Sequence, residues 1–210
     1  VRRRDEVIQL LKVHAPTRPL CRDPDLIAVN NGIFDYRQKR LLSFSLEYVF
    51  IAKCGVDYNE QAQNVVLHND MDNTDWDVES WMQELVDDLK TVNLLWQILG
   101  AVIRPNVRWN KAAWFYSEKG NNGKGTFCEL ARGICGENTY VSLSLEEMGK
   151  EFRLEPLLQA TAIITDENDV GTFIDKAAIL KAIITGDMES VNRKYKEPLT
   201  FRFRGFMIQC

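Results

Sequence analysis

Ser117-Glu118-Lys119-Gly120-Asn121-Asn122-Gly123-Lys124-Gly125-Thr126 is a glycine-rich stretch with one lysine placed to reach an anion. About forty residues on, Ala162-Ile163-Ile164-Thr165-Asp166-Glu167 reads as a buried strand ending in two carboxylates. Hydrolysis of a nucleoside triphosphate needs an anion cradle, a carboxylate for magnesium and a base that positions water. Either stretch alone is weak evidence. In this order and at this spacing they supply all three.

The loop departs from G-x-x-x-x-G-K-[ST] at both ends. Glu118 stands where the first glycine belongs, and Gly125 where the hydroxyl residue belongs. The physics asks for less than the pattern does. Glycines let backbone N–H groups converge on one point, and a following helix presents more unpaired donors there. Gly120, Asn121, Asn122, Gly123, Lys124, Gly125 and Thr126 are therefore the candidate nucleotide-binding residues. Thr126, one place late, can still turn its hydroxyl toward magnesium from the first helical turn. The bland alternative is a glycine-rich surface turn. The same Gly-Lys-Gly-Thr ending occurs in adenylate-kinase-like loops, which keeps a small-molecule phosphotransferase open.

Taken alone, Asp166 and Glu167 read equally well as solvated loop residues. Beside Lys124 they take roles: Asp166 holds hydrated magnesium with Thr126, and Glu167 activates the attacking water. The apolar, β-branched run before them suits a central parallel strand, and ligands bind at the C-terminal ends of such strands.

The elements that must position these groups follow from periodicity. Residues 3–13 predict a short helix, and Asp23-Pro24-Asp25 breaks the pattern. Leu26–Val29, an Asn30-Asn31-Gly32 turn and Ile33-Phe34 predict a hairpin. Asp75 is the expected N-cap of a helix carrying Trp76, Trp81, Leu85 and Leu89. A second helix over Val92–Ile103 should stop at Arg104-Pro105. A boundary is expected near Asn106–Asn110, dividing an α+β region (1–108) from a phosphate-loop core (109–210). In the core, Ala112–Tyr116 predicts a strand, 125–134 a helix, Ser144–Phe152 a helix, Ala160–Thr165 a strand and Asp175–Ile184 a helix. Ser190–Tyr195 and Leu199–Phe203 predict two strands around Lys196-Glu197-Pro198, and a last strand starts at Phe206. That alternation is the α/β order of a parallel sheet.

Bulk composition excludes several classes. Of 210 residues, 45% are hydrophobic and 27% charged, which suits a chain able to bury a core. The formal net charge of -4 rules out a generally basic nucleic-acid coat, so such contact must come from a local patch. One is present. Arg193, Lys194, Lys196, Arg202 and Arg204 face only Glu197, with Tyr195 and Phe201 interleaved. Charge mixed with aromatic rings suits phosphate tracking with base stacking; the alternative is a merely solvated hairpin. The five cysteines are scattered without a CxxC pair, so reduced thiols in the cytoplasm are expected rather than zinc or disulfides. No apolar run approaches the roughly 20 residues that span a bilayer.

Three stretches resemble the superfamily 3 helicase core of bacteriophage, plasmid and mobile-element primase–helicases: Tyr116–Thr126, Ile163–Asn168 and Leu180–Asp187. The N-terminal part is similar to the region preceding the helicase in these proteins and in poxvirus primase–helicases. It contributes Val29-Asn30-Asn31-Gly32-Ile33-Phe34-Asp35 and Val56-Asp57-Tyr58-Asn59. The resemblance implies an AAA+-like P-loop core with ATP and Mg2+ as cofactors. It implies a homo-hexameric ring moving on single-stranded DNA during replication. It also implies a pore hairpin within Lys181–Arg204, which assigns DNA contacts to Arg193, Lys194, Tyr195 and Lys196. The sensor asparagine and arginine finger of the family would follow Cys210, so the chain is expected to be part of a longer protein. A non-catalytic binding or oligomerisation module with a vestigial loop is the remaining alternative.

Overall fold

The computed structural model describes residues 2–150, 152–168 and 177–210. Helix α1 (Arg2–His14) leaves Leu10, Leu11 and Val13 exposed. A three-stranded antiparallel sheet follows, of β1 (Leu26–Val29), β2 (Gly32–Asp35) and β3 (Arg40–Leu42). Val29 pairs with Gly32, so the turn is Asn30-Asn31 and Gly32 already belongs to β2. The two asparagines do more than turn the chain. Asn31 Nδ2 donates to the Tyr58 carbonyl, Tyr58 N–H returns a bond to Asn31 Oδ1, and Asn30 Nδ2 donates to Asp57 Oδ1. The two N-terminal motifs singled out in the sequence are thus one hydrogen-bonded unit.

A small hairpin, β4 (Leu67–Asn69) with β5 (Thr74–Trp76), takes the place of the expected helix start. Asp75 lies in β5, with its carboxylate 2.7 Å from His68 Nδ1. The N-cap is Asp77 instead. Its Oδ1 accepts from Ser80 N–H at 2.7 Å, and Ser80 Oγ accepts from Asp77 N–H, a reciprocal capping box that opens α2 (Val78–Glu84). Asp88 then caps α3 (Leu89–Val102) by accepting from Lys90 and Thr91 N–H.

The remaining elements build a four-stranded sheet. They are β6 (Ala113–Trp114), α4 (Lys124–Cys135), β7 (Tyr140–Val141), β8 (Ala162–Thr165), α5 (Ala177–Thr185), the hairpin β9 (Met188–Arg193) with β10 (Lys196–Arg202), and β11 (Phe206–Gln209). The sheet order is β6-β11-β8-β7, and every pair is parallel. The last strand is therefore inserted between the strand that feeds the loop and the strand that ends in the carboxylates.

The alternation of strand side chains explains why Ala162-Ile163-Ile164 of β8 and Phe206-Met207-Ile208 of β11 are apolar without a break. Ala162, Ile164, Phe206 and Ile208 face one core together with α3, α4 and Met82 of α2. Ile163 and Met207 face a second core with Leu143, Leu157, Ile183, Val191 and Phe203. Both faces are covered, so neither can be polar. The first core joins α2 and α3 to the sheet across residues 106–110, and Arg104 reaches back to Asp25 at 2.8 Å. Packing thus runs continuously across the position where a boundary was expected.

Two further expectations need correction. In place of a helix over Ser144–Phe152, the described residues there form a short 3-10 turn at Glu147–Gly149, where Glu147 folds back onto Ser144 and an extended Lys150 ends the turn. The hairpin turn is Lys194-Tyr195, not Lys196-Glu197-Pro198. Tyr195 takes the left-handed conformation (φ 60) and Lys196 pairs with Arg193, while the register shifts between Lys196 and Leu199 to accommodate Pro198. Helix α5 is described from Ala177, so Asp175 and Lys176 lie outside the described residues.

Candidate phosphate site at the C-terminal edge of the sheet

The loop leaves the C-terminal end of β6 and enters α4 through Gly123, whose φ of +79 is left-handed. A methyl group there would come within 2.3 Å of Leu85 Cδ2. No side chain caps α4. The first-turn N–H groups of Lys124, Gly125 and Thr126 have no helical acceptor, by the geometry of a helix start. With the helix dipole behind them they form an anion site. A Cβ on Gly120 or Gly125 would meet nothing within 4 Å, so open space, not backbone strain, surrounds those two positions. Lys124 Nζ donates to Asn122 Oδ1 at 3.0 Å, and Asn122 Nδ2 is bonded to the Lys119 carbonyl, which tethers the lysine to its own loop. Thr126 is exposed.

Asp166 and Glu167 follow β8 at the same edge, one strand away across β11. Glu167 is exposed, with no polar partner among the described residues. Asp166 is paired. Arg132 Nη2 donates to Asp166 Oδ1 at 3.0 Å, Nη1 reaches Oδ2 at 3.4 Å, and Nη2 also donates to the Ile164 carbonyl at 3.3 Å. Glu129 holds the same guanidinium from the other side. Burial works against the charge on Arg132, but its bonds to Asp166 and Glu129 outweigh that and raise its pKa. The hydrogen bond from Arg132 is in turn the main reason that the Asp166 carboxyl titrates below its ordinary value.

The sign of the pH dependence follows. A depressed carboxyl pKa contributes stability above the unfolded value, about 3.9 for aspartate. That contribution is lost as pH falls through the folded value. Arg132→Gln should return Asp166 toward its ordinary pKa, read from the side-chain carboxyl carbon in an NMR titration. An unchanged titration would remove Arg132 as the cause.

Between the two halves lies the end of β11. The Cys210 thiol is 3.6 Å from Cys128 Sγ of α4. A hydrogen bond from Cys128 lowers the Cys210 pKa most; Lys124 and Arg132 pull the same way, and Asp166 opposes them. The charges of Lys124, Arg132 and Asp166 are thus all felt at the Cys210 thiol. Behind it is a buried polar network. Asn168 Nδ2 donates to Gln209 Oε1 (2.9 Å) and to the Cys210 carbonyl (2.8 Å), and Asn168 Oδ1 accepts from Leu145 N–H. Gln209 Nε2 donates to the Leu143 carbonyl at 3.2 Å, and Thr165 Oγ1 exchanges bonds with both backbone groups of Leu143. This network fixes the carboxylate loop to the ends of β7, β8 and β11.

The sequence reading missed Arg132, Asn168 and Gln209. A signal for Arg132 existed: Lys124, Cys128 and Arg132 stand at i, i+4 and i+8, one stripe of a helix. Nothing in that spacing said which carboxylate the stripe faces.

The residues assigned to DNA contact gather at the β9–β10 tip, but they differ. Lys194, Tyr195 and Lys196 are exposed, and Lys194 Nζ lies 5.3 Å from the Tyr195 ring centroid. Arg193 is half-buried, and its guanidinium is spent on the Glu197 carbonyl. Arg202 and Arg204 sit at the other end of the hairpin.

Comparison with known proteins adds an outline to this geometry. Residues 2–88 match the family described as D5 N terminal like. Residues 115–210, which hold the whole candidate site, match a family of unknown function, DUF5906. No curated protein matches the chain. Among solved structures, the fold is similar to the A form of the apo NrS-1 C-terminal region, with 20% identity over 71% of this chain and a TM-score of 0.50. A second apo structure of that region is 19% identical over 71% of this chain, with a TM-score of 0.49. The chain spans 35% of the length of each. No helix among the described residues is long and apolar enough to cross a membrane.

Proposed function

We propose that the chain carries the nucleotide-hydrolysing core of an ATP-dependent DNA helicase or translocase acting in replication of a phage, plasmid or mobile element. One observation carries the reading. The uncapped, glycine-entered helix with Lys124 and the Asp166-Glu167 pair lie at the same C-terminal edge of one parallel sheet, where open α/β sheets bind ligands. Kinship with primase–helicases through residues 2–88 supports the same reading.

The donor set fits a magnesium-bound triphosphate. Three helix N–H groups and Lys124 match phosphate oxygens. A hydroxyl and a carboxylate, on Thr126 and Asp166, match the hard cation. In this assignment Lys124 neutralises charge developing on the transferred phosphate, and Glu167, with no polar partner among the described residues, orients the attacking water. Asp166 must release Arg132 to serve the metal. The bound metal would supply charge neutralisation between the outer phosphates. Lys194, Tyr195 and Lys196 would grip single-stranded DNA in a homo-hexameric ring.

A specific observation favours a second reading, a non-catalytic module: Arg132 already neutralises Asp166. ATP binding and hydrolysis, measured with and without single-stranded DNA, separate the two. DNA-stimulated turnover supports the motor. Absence of ATP binding at millimolar concentration would leave the non-catalytic module.

A further inference from the structure

We propose that Arg108, Arg202 and Arg204, with the indole N–H of Trp109, form a second oxyanion site, for a phosphate group, at the sheet edge opposite the phosphate loop. Arg108 and Trp109 precede β6, and Arg204 precedes β11. These strands are parallel, so their entrances lie together, at the end of the sheet that the loop does not use. A cleft there is lined by Arg108, Trp109, Arg202 and Arg204 on one side and by the α5 end, Thr185-Gly186, on the other.

Two observations point to a missing anion. The first is charge. Asp187 lies 4.0 Å from Arg108, and Arg108 also donates to the Thr185 carbonyl. Among the described residues, no carboxylate lies within 4.0 Å of Arg22, Arg202 or Arg204. Burial, and then the like charges of Arg22, Arg202 and Arg108, push the Arg204 pKa down. The guanidiniums of Arg108, Arg202 and Arg204 repel each other around this cleft, in a chain whose net charge is -4. Folding gains nothing from that convergence without a counter-ion.

The second observation is independent of charge. Trp109 Nε1 is the buried side-chain donor that lacks an acceptor among the described residues. Buried donors nearly always find one. Planar guanidinium forks and a fixed N–H match the oxygens of a phosphate, whether a nucleic-acid phosphodiester or free phosphate. The site is separate from the nucleotide edge and from the hairpin tip, since β10 alone spans roughly 20 Å between tip and base.

The test uses the full chain and the double variant Arg108→Gln/Arg202→Gln, whose side chains are exposed; thermal melting checks that the fold is kept. A fluorescent 30-nucleotide oligothymidylate is titrated at several salt concentrations, and inorganic phosphate is titrated against tryptophan emission. If the anion is a nucleic-acid phosphate, the double variant binds the oligonucleotide about tenfold more weakly. Its salt slope also falls, by roughly 0.7 per lost contact. If the anion is free phosphate, the wild type shows a saturable emission change that the double variant and Trp109→Phe both lose. The same comparison is repeated in a Lys124→Ala background, where the double variant still loses the oligonucleotide affinity or the phosphate-dependent emission change, so failure of the nucleotide site would not imitate failure here. Equal oligonucleotide affinity and slope in wild type and double variant, with no phosphate-dependent emission change, overturns the proposal.

Discussion

Lys124→Ala should lower ATP turnover by about 10²–10³-fold, the usual cost of removing one preorganised charge or donor aimed at a developing anion. The fold should be untouched. Lys124 is the first residue of α4, half-exposed, and its only polar partner among the described residues is Asn122. Alanine is the better helix former, so thermal melting should stay within a degree or two of wild type. Steady-state hydrolysis beside a melting curve decides the matter. Turnover that survives in a folded variant would sink the loop as the nucleotide site. Loss of turnover with loss of fold would leave the chemistry undecided, and Gly125→Ala then serves as a companion. That methyl meets no protein atom within 4 Å. It should leave the fold stable and reduce only nucleotide affinity, because the added methyl stands where a phosphate must approach.

The largest effect on stability is expected at Gly205→Ala. This glycine leads into β11, and a Cβ there would lie 2.1 Å from the Thr161 carbonyl oxygen and 2.6 Å from its carbonyl carbon. Both atoms are backbone, at the start of β8, and cannot swing aside as a side chain can. Phe206 N–H bonds to that same carbonyl at 3.3 Å, so relief of the clash pulls on the pairing of the two central strands. Strands buried on both faces cannot shift without disturbing two cores. A loss of at least about 3 kcal/mol is expected, the upper range for overpacking. In a chain of this size that corresponds to a fall in melting temperature on the order of 10 °C. Gly123→Ala makes a milder comparison, since the atom it would strike is the mobile end of Leu85. Its left-handed φ should still cost about 1–2 kcal/mol. A Gly205→Ala variant that melts with the wild type would mean that β8 and β11 are not held in this register.

The sequence by itself determined the elements that carry strong local signals. The glycine-rich turn between a short strand and a helix, the apolar run Ala162–Thr165 and the helices at 2–14, 89–102 and 124–135 all fall close to where periodicity and breakers put them. The reason is local. Backbone preference, capping and burial pattern act within a few residues, and in these segments they agree. Where two local solutions compete, contacts from elsewhere decide. By residue type Asp75, the expected cap, is a good one. Asp77 wins because residues 74–76 pair with 67–69 and draw Asp75 toward His68. Pro198 looked like a turn, but the turn went to Lys194-Tyr195, and a register shift absorbed the proline within β10.

The site divides in the same way. Lys124, Asp166 and Glu167 were legible because their types and order sufficed. Their common edge depends on β11 entering between β6 and β8, a long-range pairing that no local pattern encodes. The Arg132–Asp166 pair, the network of Asn168 and Gln209, and the separation of Arg202 and Arg204 from the hairpin tip all follow from that insertion. Each joins residues some 20 to 180 positions apart. Only the packed sheet brings such residues close enough for hydrogen bonds of about 3 Å or for the mutual repulsion of clustered guanidiniums to matter.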